Sequence, residues 1–189
     1  MLAKVESSAE LRAIRESSEA SRLLVAIESL KGLHNIDSIL REMNKRDLFA
    51  IGYEDLSAEM GIERPKNLNS INLLTKLILD SAIHARRHGV AMLDAASRKF
   101  LEHDLALLRD ECLFTSNLGL SGKVCIHPSQ ISTVNGVWGA RNNLMQERGQ
   151  RVVEGFKCLN DGSFVIVNEE KEMMDTPSYR MYDKLLKSG

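Results

Sequence analysis

The sequence is poor in the residues that build special architectures: three cysteines, three prolines and one tryptophan among 189 residues. Cys112, Cys125 and Cys158 are odd in number, widely separated and form no C-x-x-C pair. That excludes a disulfide framework and a zinc ribbon and favours a reducing compartment. Few prolines, with 43% hydrophobic and 27% charged residues, exclude collagen-like, mucin-like and disordered chains. Charge of one sign is also missing, since 25 basic residues face 26 acidic ones. No global basic field exists to attract nucleic acid, and Trp138 with three tyrosines offers no stacking platform. No run of about 18 apolar residues is available to span a bilayer, and the segment Met1-Leu-Ala-Lys-Val-Glu6 is too poor in apolar residues for a signal sequence. The expected location is therefore the cytoplasm, with no membrane partner. The generic motifs G-x-G-x-x-G, H-E-x-x-H and G-x-S-x-G are absent, and Gly119-Leu-Ser-Gly122-Lys123 lacks the P-loop spacing and precedes a strand instead of following one.

What is present is an alternation of short apolar runs with longer segments of helical period, the pattern of β-α units on a parallel sheet. Strands are expected at Met1 to Val5, Leu23 to Ile27, Leu48 to Gly52, Val90 to Leu93 and Lys123 to Ile126. Helices are expected at Ala9 to Ala20, Leu33 to Met43, Ile71 to His88 and Arg98 to Thr115. The third is the clearest: Ile71, Leu74, Leu77, Ile78 and Ile83 share a face, Ser70 can cap the start, and Arg86-Arg87-His88-Gly89 forms a cationic, glycine-stopped end. Right-handed crossovers would gather the loops after the strands on one edge of the sheet, where function is expected. Residues 1–150 read as the main α/β domain. Within it, Pro128 to Gln146 begins as a helix and Arg141 to Gln150 reads as an exposed helix end or linker. Residues 151–189 read as a tail: a strand in Gly162 to Asn168, a Glu-Glu-Lys-Glu turn and a terminal helix ending near Lys187.

Strand-terminal carboxylates are the most informative feature. Glu28 follows Leu-Leu-Val-Ala-Ile, and Asp55 follows Leu-Phe-Ala-Ile-Gly-Tyr-Glu, one β-α unit later. Adjacent strands lie about 4.8 Å apart, so two such side chains can converge on one cation, and hard oxygen ligands favour Mg²⁺. The same two acids can instead stabilise the N-termini of the helices that follow. Glu54 ranks behind Asp55 because strand alternation lets one of the two face the site. Lys4 and Glu6 share a face of the first strand and are expected to form an ion pair. His84 and His88 have the i, i+4 spacing of metal ligands, but the intervening arginines favour a solvated cationic helix end. His127, in Cys-Ile-His-Pro-Ser-Gln, is expected at a strand end facing the functional edge, as a ligand contact or as a structural histidine in its loop.

Four segments together carry a specific resemblance: Leu24-Val-Ala-Ile-Glu28-Ser-Leu-Lys-Gly32, Ile51-Gly-Tyr-Glu-Asp55-Leu-Ser-Ala-Glu-Met-Gly61, Gly122-Lys-Val-Cys-Ile-His127-Pro-Ser-Gln130, and Met174-Asp175-Thr-Pro177. In this order the chain resembles the HpcH/HpaI aldolase/citrate lyase family, most closely its citrate lyase β-subunit-like branch. The resemblance implies an α/β fold, a partial TIM (β/α) barrel of about five parallel β-α units, since a whole barrel takes about 250 residues. The first strand resembles the family's fourth, so the first three β-α units, with the arginine that steadies the enolate, have no counterpart. The implied activity is a lyase reaction that splits a carbon-carbon bond in a 3-hydroxy-acyl thioester of the citryl, malyl or citramalyl type. Glu28 and Asp55 would hold Mg²⁺, and Asp175, reaching a neighbouring subunit, would act as the acid/base. Asp175 can equally cap the helix after it. His127 and Lys4 are candidates for contact with the substrate, a CoA or acyl-carrier-protein thioester. The resemblance also implies a homo-oligomer, a trimer in the family. The alternative is a non-catalytic or split fragment that binds metal or CoA, or a complementing chain that supplies the missing strands. Glu169-Glu-Lys-Glu172 stands where the family often has a shorter glycine turn.

Overall fold

A computed structural model describes residues 1–64, 72–158, 165–166 and 172–188. The chain divides into two compact units, residues 1–138 and 139–189, so the division falls ahead of residue 150. In the first unit, α1 (Ser8–Ser17) is capped by the Ser7 side chain, which accepts from the Glu10 amide. The parallel sheet has the order β1 (Leu24–Ile27), β2 (Leu48–Ile51) and β3 (Ala91–Leu93), with Ala26 opposite Ala50 and Ala50 opposite Leu93. Three of the four residues in β1 and in β2 are buried, as expected of strands covered on both faces.

The outer members of the expected sheet are shorter than the apolar pattern suggested. The segment Met1 to Val5 contributes one isolated parallel bridge, Leu2 to Val25, with a further hydrogen bond from the Val5 amide to the Ala26 carbonyl. It is not a continuous strand because Lys4 between them has φ +53°, a left-handed turn that breaks the extended run. Lys123 to Ile126 likewise supplies a single bridge, Lys123 to Asp94.

Between β1 and β2 the expected single helix is two: α2 (Leu30–His34) and α3 (Ile36–Glu42), which share Asn35 as the end of one and the start of the other. After β2 come α4 (Tyr53–Glu59) and α5 (Leu73–His88). Asn72 caps α5 by accepting from the Thr75 amide, while Ser70 lies outside the described residues. At the other end, Gly89 stops the helix in the left-handed conformation at φ +69°. Asp37 on α3 sits 2.9 Å from His88 and 3.4 Å from His84, so the two histidines fasten α5 to α3. The hydrogen bond from His88 leads the effects that pull the Asp37 carboxyl down to about 2. A 3-10 turn (Glu102–Asp104) precedes α6 (Leu105–Asn117).

The main core joins the sheet to α1, α3, α4 and α5 through Leu11, Val25, Ile27, Ile39, Leu40, Phe49, Leu56, Leu74 and Ile78. A smaller cluster packs Leu108 and Cys112 against Val134, Val137 and Trp138, whose indole donates to the Leu120 carbonyl at 2.8 Å. Burial pushes the Cys112 thiol up to about 11, leaving it an inert part of this core.

The helix that follows, α7 (Ser129–Lys157), continues through Arg141 to Gln150. Polarity there reflects an exposed helical surface and not a linker. In the second unit, β4 (Val165–Ile166) pairs antiparallel with β5 (Met173–Met174), and α8 (Thr176–Ser188) closes the chain. Val152, Val153, Met174 and Tyr182 form its core. The turn expected at Glu169 to Glu172 lies mostly outside the described residues. Among the described residues, no helix is long and apolar enough to cross a membrane.

Candidate active site

A cleft of about 240 Å³ opens at the C-terminal ends of the strands in the first unit, lined in part by Glu28, Gly52, Tyr53, Glu54, Asp55 and Arg64. Glu28 immediately follows β1. Asp55 is not at a strand end: β2 stops at Ile51, Gly52 makes the turn, and Asp55 stands in the first turn of α4. Glu54 is in the same turn, so strand alternation does not separate the two acids. Their ion pairs do.

Glu54 is neutralised twice, by Arg64 at 2.5 Å and by a two-pronged contact with Arg98. The Arg98 hydrogen bond, followed by that of Arg64, holds the Glu54 carboxyl below its ordinary range. Arg64 also lies over the Tyr53 ring, 5.3 Å from its centroid. Asp55 instead meets Lys4, whose ammonium is 2.8 Å from Oδ1, and the Lys4 amide donates to Glu28 Oε2 at 3.2 Å. The hydrogen bond to Asp55 raises the Lys4 pKa above its usual value. The expected Lys4 to Glu6 pair does not form, because Glu6 is taken by Lys31 at 2.8 Å. One residue thus touches both carboxylates that the sequence singled out, Asp55 through its ammonium and Glu28 through its backbone amide.

Gly52 makes room for this arrangement. A Cβ there would lie 2.6 Å from Glu28 Oε1 and 2.9 Å from Glu28 Cδ. Gly52 has φ −87° and ψ 102°, open to any residue, so what calls for glycine is the close approach of the Glu28 carboxylate. No group of three His, Cys, Asp or Glu side chains converges as a metal site among the described residues. A pair of carboxylate donors in an open cleft nevertheless fits a small hard cation, which retains positions for water and substrate oxygens. The donor chemistry, the glycine cradle and the ammonium already held there all suit a cation.

Behind the cleft lies a polar network that sequence reasoning missed. Asp94, just past β3 and fully buried, accepts from Tyr53 Oη at 2.6 Å, Thr115 Oγ1 at 3.0 Å and Lys123 Nζ at 2.5 Å. Lys123 is also buried and has Glu111 Oε2 at 3.6 Å. Burial first, and then the Asp94 charge, push the Tyr53 hydroxyl well above its ordinary pKa, so it remains a hydrogen-bond donor. Since Tyr53 opens α4 two residues before Asp55, this network anchors the helix turn that presents the carboxylate. The available signal was that Asp94 ends its strand as Glu28 does, and that Lys123 interrupts an apolar stretch.

His127 is not at a strand end. It lies in the turn before α7, where Nδ1 is 2.8 Å from Ser129 Oγ, whose hydroxyl donates to the Phe100 carbonyl, and the ring tilts against Phe100 with centroids 5.3 Å apart. Gln130 organises the same turn, accepting from the Ile126 amide at 2.9 Å and donating to the Ser97 and Lys99 carbonyls. In the second unit, Asp175 takes the capping position of α8: Oδ1 accepts from the Ser178 amide at 3.1 Å and from its hydroxyl at 3.0 Å.

A parallel α/β sheet with two carboxylates beyond its strand ends defines an α/β protein with an acidic cleft, and comparison makes the assignment narrower. The chain belongs to the HpcH/HpaI aldolase/citrate lyase family, whose sequence model matches residues 1–128. It is similar to a (3S)-malyl-CoA thioesterase of Cereibacter sphaeroides, with 29% identity over 172 residues that cover 90% of this chain and 58% of that protein. It is also similar to a citrate lyase subunit beta-like protein of Deinococcus radiodurans, 28% identical over 92% of this chain and 60% of that one. The chain therefore spans less than two thirds of these curated relatives. In fold it resembles the protein CitE from Mycobacterium tuberculosis, solved in complex with magnesium, acetoacetate and coenzyme A, with a TM-score of 0.72 and 21% identity over 97% of this chain and 65% of the other. The architecture is thus an α/β fold with a parallel sheet, similar to citrate lyase β structures.

Proposed function

We propose that the chain forms the metal-binding part of a Mg²⁺-dependent carbon-carbon lyase acting on a 3-hydroxy-acyl thioester of the citryl, malyl or citramalyl type. The observation that carries this reading is the meeting of Glu28 and Asp55 at one residue, Lys4, whose amide holds the first and whose ammonium pairs with the second, in the cleft at the strand ends. Bound between these carboxylates, Mg²⁺ would polarise the carbonyl of the oxo-acid portion as a Lewis acid. Glu28 is held by the Lys4 amide and accommodated by Gly52, while Asp55 is oriented by the α4 turn anchored through Tyr53. Both acids thus stand ready before a ligand arrives, which limits the reorganisation cost of binding. The His127 imidazole and the Lys4 ammonium are the groups proposed to meet the anionic and carbonyl groups of the CoA or carrier-protein thioester. Asp175 is proposed as the acid/base that gives or takes the proton on the thioester α-carbon, working in the site of a neighbouring subunit.

A split arrangement is the second reading, favoured by the sheet itself. The sheet is continued on each side by a short segment, residues 2–5 hydrogen-bonded along β1 and residues 121–124 along β3, and a further strand would pair beyond these segments. A complementing polypeptide would then complete a (β/α) barrel of which this chain supplies about five units.

Both readings are tested by assaying malyl-CoA, citramalyl-CoA and citryl thioesters with Mg²⁺, using the chain alone and with a polypeptide supplying the remaining β-α units of its relatives. Cleavage of at least one ester, lost on chelation of the metal and lowered roughly 10²- to 10⁴-fold by Asp175→Asn, is the expected result. No cleavage of any ester under either condition would remove the lyase reading.

A further inference from the structure

Lys4 is the one described non-glycine residue with positive φ, at +53°. Such a conformation is strained for a residue with a side chain and persists where its surroundings hold it in place. Here it separates two tasks: the backbone amide of Lys4 holds Glu28 while the side chain swings to Asp55. The nearby acids are satisfied independently, Glu6 by Lys31 and Glu54 by Arg64 and Arg98. Lys4 is therefore committed to the two cleft carboxylates. The ammonium is 64% exposed and bound by a surface ion pair, a contact weak enough to exchange.

Building on the chelation reading above, we propose that Lys4 is a built-in counter-ion of the site: its ammonium stands in for the divalent cation against Asp55 and is displaced when the metal binds. Charge arithmetic supports the exchange. With the ammonium in place, Glu28 and Asp55 present a residual single negative charge; without it, their two charges match a divalent cation. Displaced from Asp55, the ammonium becomes the donor that meets the substrate.

The test is a titration with Mn²⁺, followed by the paramagnetic resonance of the free ion, on the unaltered protein, Lys4→Met, Lys4→Gln and Lys4→Arg, with circular dichroism confirming the fold of each. Removal of the charge should tighten Mn²⁺ binding at least about threefold in both neutral variants, the scale set by an exposed ion pair, whereas Lys4→Arg should stay within about twofold of the unaltered protein. Equal or weaker binding by folded Lys4→Met and Lys4→Gln, with the unaltered protein binding normally, would overturn the counter-ion role while leaving chelation intact. Absence of binding in every protein, the unaltered one included, would overturn chelation and the counter-ion role together.

Discussion

Asp94→Ala should destabilise the protein by about 3 to 5 kcal/mol, the cost of breaking a buried ion pair from one side. Asp94 is fully buried and serves three donors at once, the Tyr53 hydroxyl, the Thr115 hydroxyl and the Lys123 ammonium. Its removal would leave Lys123, itself 1% exposed, facing only the more distant Glu111, and would strand the phenol of a fully buried tyrosine. A loss of that size is a large share of the roughly 5 to 15 kcal/mol that holds a typical domain together. Urea denaturation measures it as a fall in the midpoint with the slope unchanged. Lys123→Met should be similarly harmful, because Asp94 and Glu111 would then be buried acids without their shared cation. A shift below about 1 kcal/mol for Asp94→Ala would show that the network is not an anchor of this fold.

Gly52→Ala is expected to act in the opposite way, harming the site and sparing the fold. The added methyl would overlap the Glu28 carboxylate, while the backbone at Gly52 already has a conformation that alanine adopts readily. The Glu28 side chain must therefore rotate away. Because that side chain is flexible and only half-buried, the fold is expected to lose no more than about 1 kcal/mol. Metal affinity should fall about 10- to 100-fold, the scale typical of changes that misplace a metal ligand through its neighbours. Mn²⁺ titration paired with urea denaturation separates these effects. Unchanged affinity in the folded variant would mean that the observed position of Glu28 is not the one that binds the cation.

Much of this arrangement can be read from local sequence. Buried parallel strands are continuous apolar runs, so β1 and β2 are visible in Leu-Leu-Val-Ala-Ile and Leu-Phe-Ala-Ile, and the acid after each stands out. The α5 helix is equally visible, because its apolar period and its Gly89 stop are local features. The rest depends on tertiary contact. Lys4 looks like part of a strand, and its left-handed turn arises where the chain reaches both Glu28 and Asp55. Asp94 resembles Glu28 in sequence position, yet α6 and Tyr53 close over it and make it structural. Asp55 illustrates a finer failure: the acid was legible, but a turn at Gly52 moves it from the strand into a helix and abolishes the alternation that seemed to separate it from Glu54. Along α7, the polar stretch from Arg141 to Gln150 reads equally as an exposed helix end or a linker because the two share a composition, and it is helix throughout.

The central claim, that Glu28 and Asp55 together bind one divalent cation, is tested most directly by calorimetric titration of Mg²⁺ into the unaltered protein, Glu28→Gln and Asp55→Asn. Each substitution keeps the side-chain shape and removes one charge. A single site is expected in the unaltered protein, weakened at least about tenfold by either change. No Mg²⁺ binding by the unaltered protein, or binding that survives both substitutions undiminished, would contradict it.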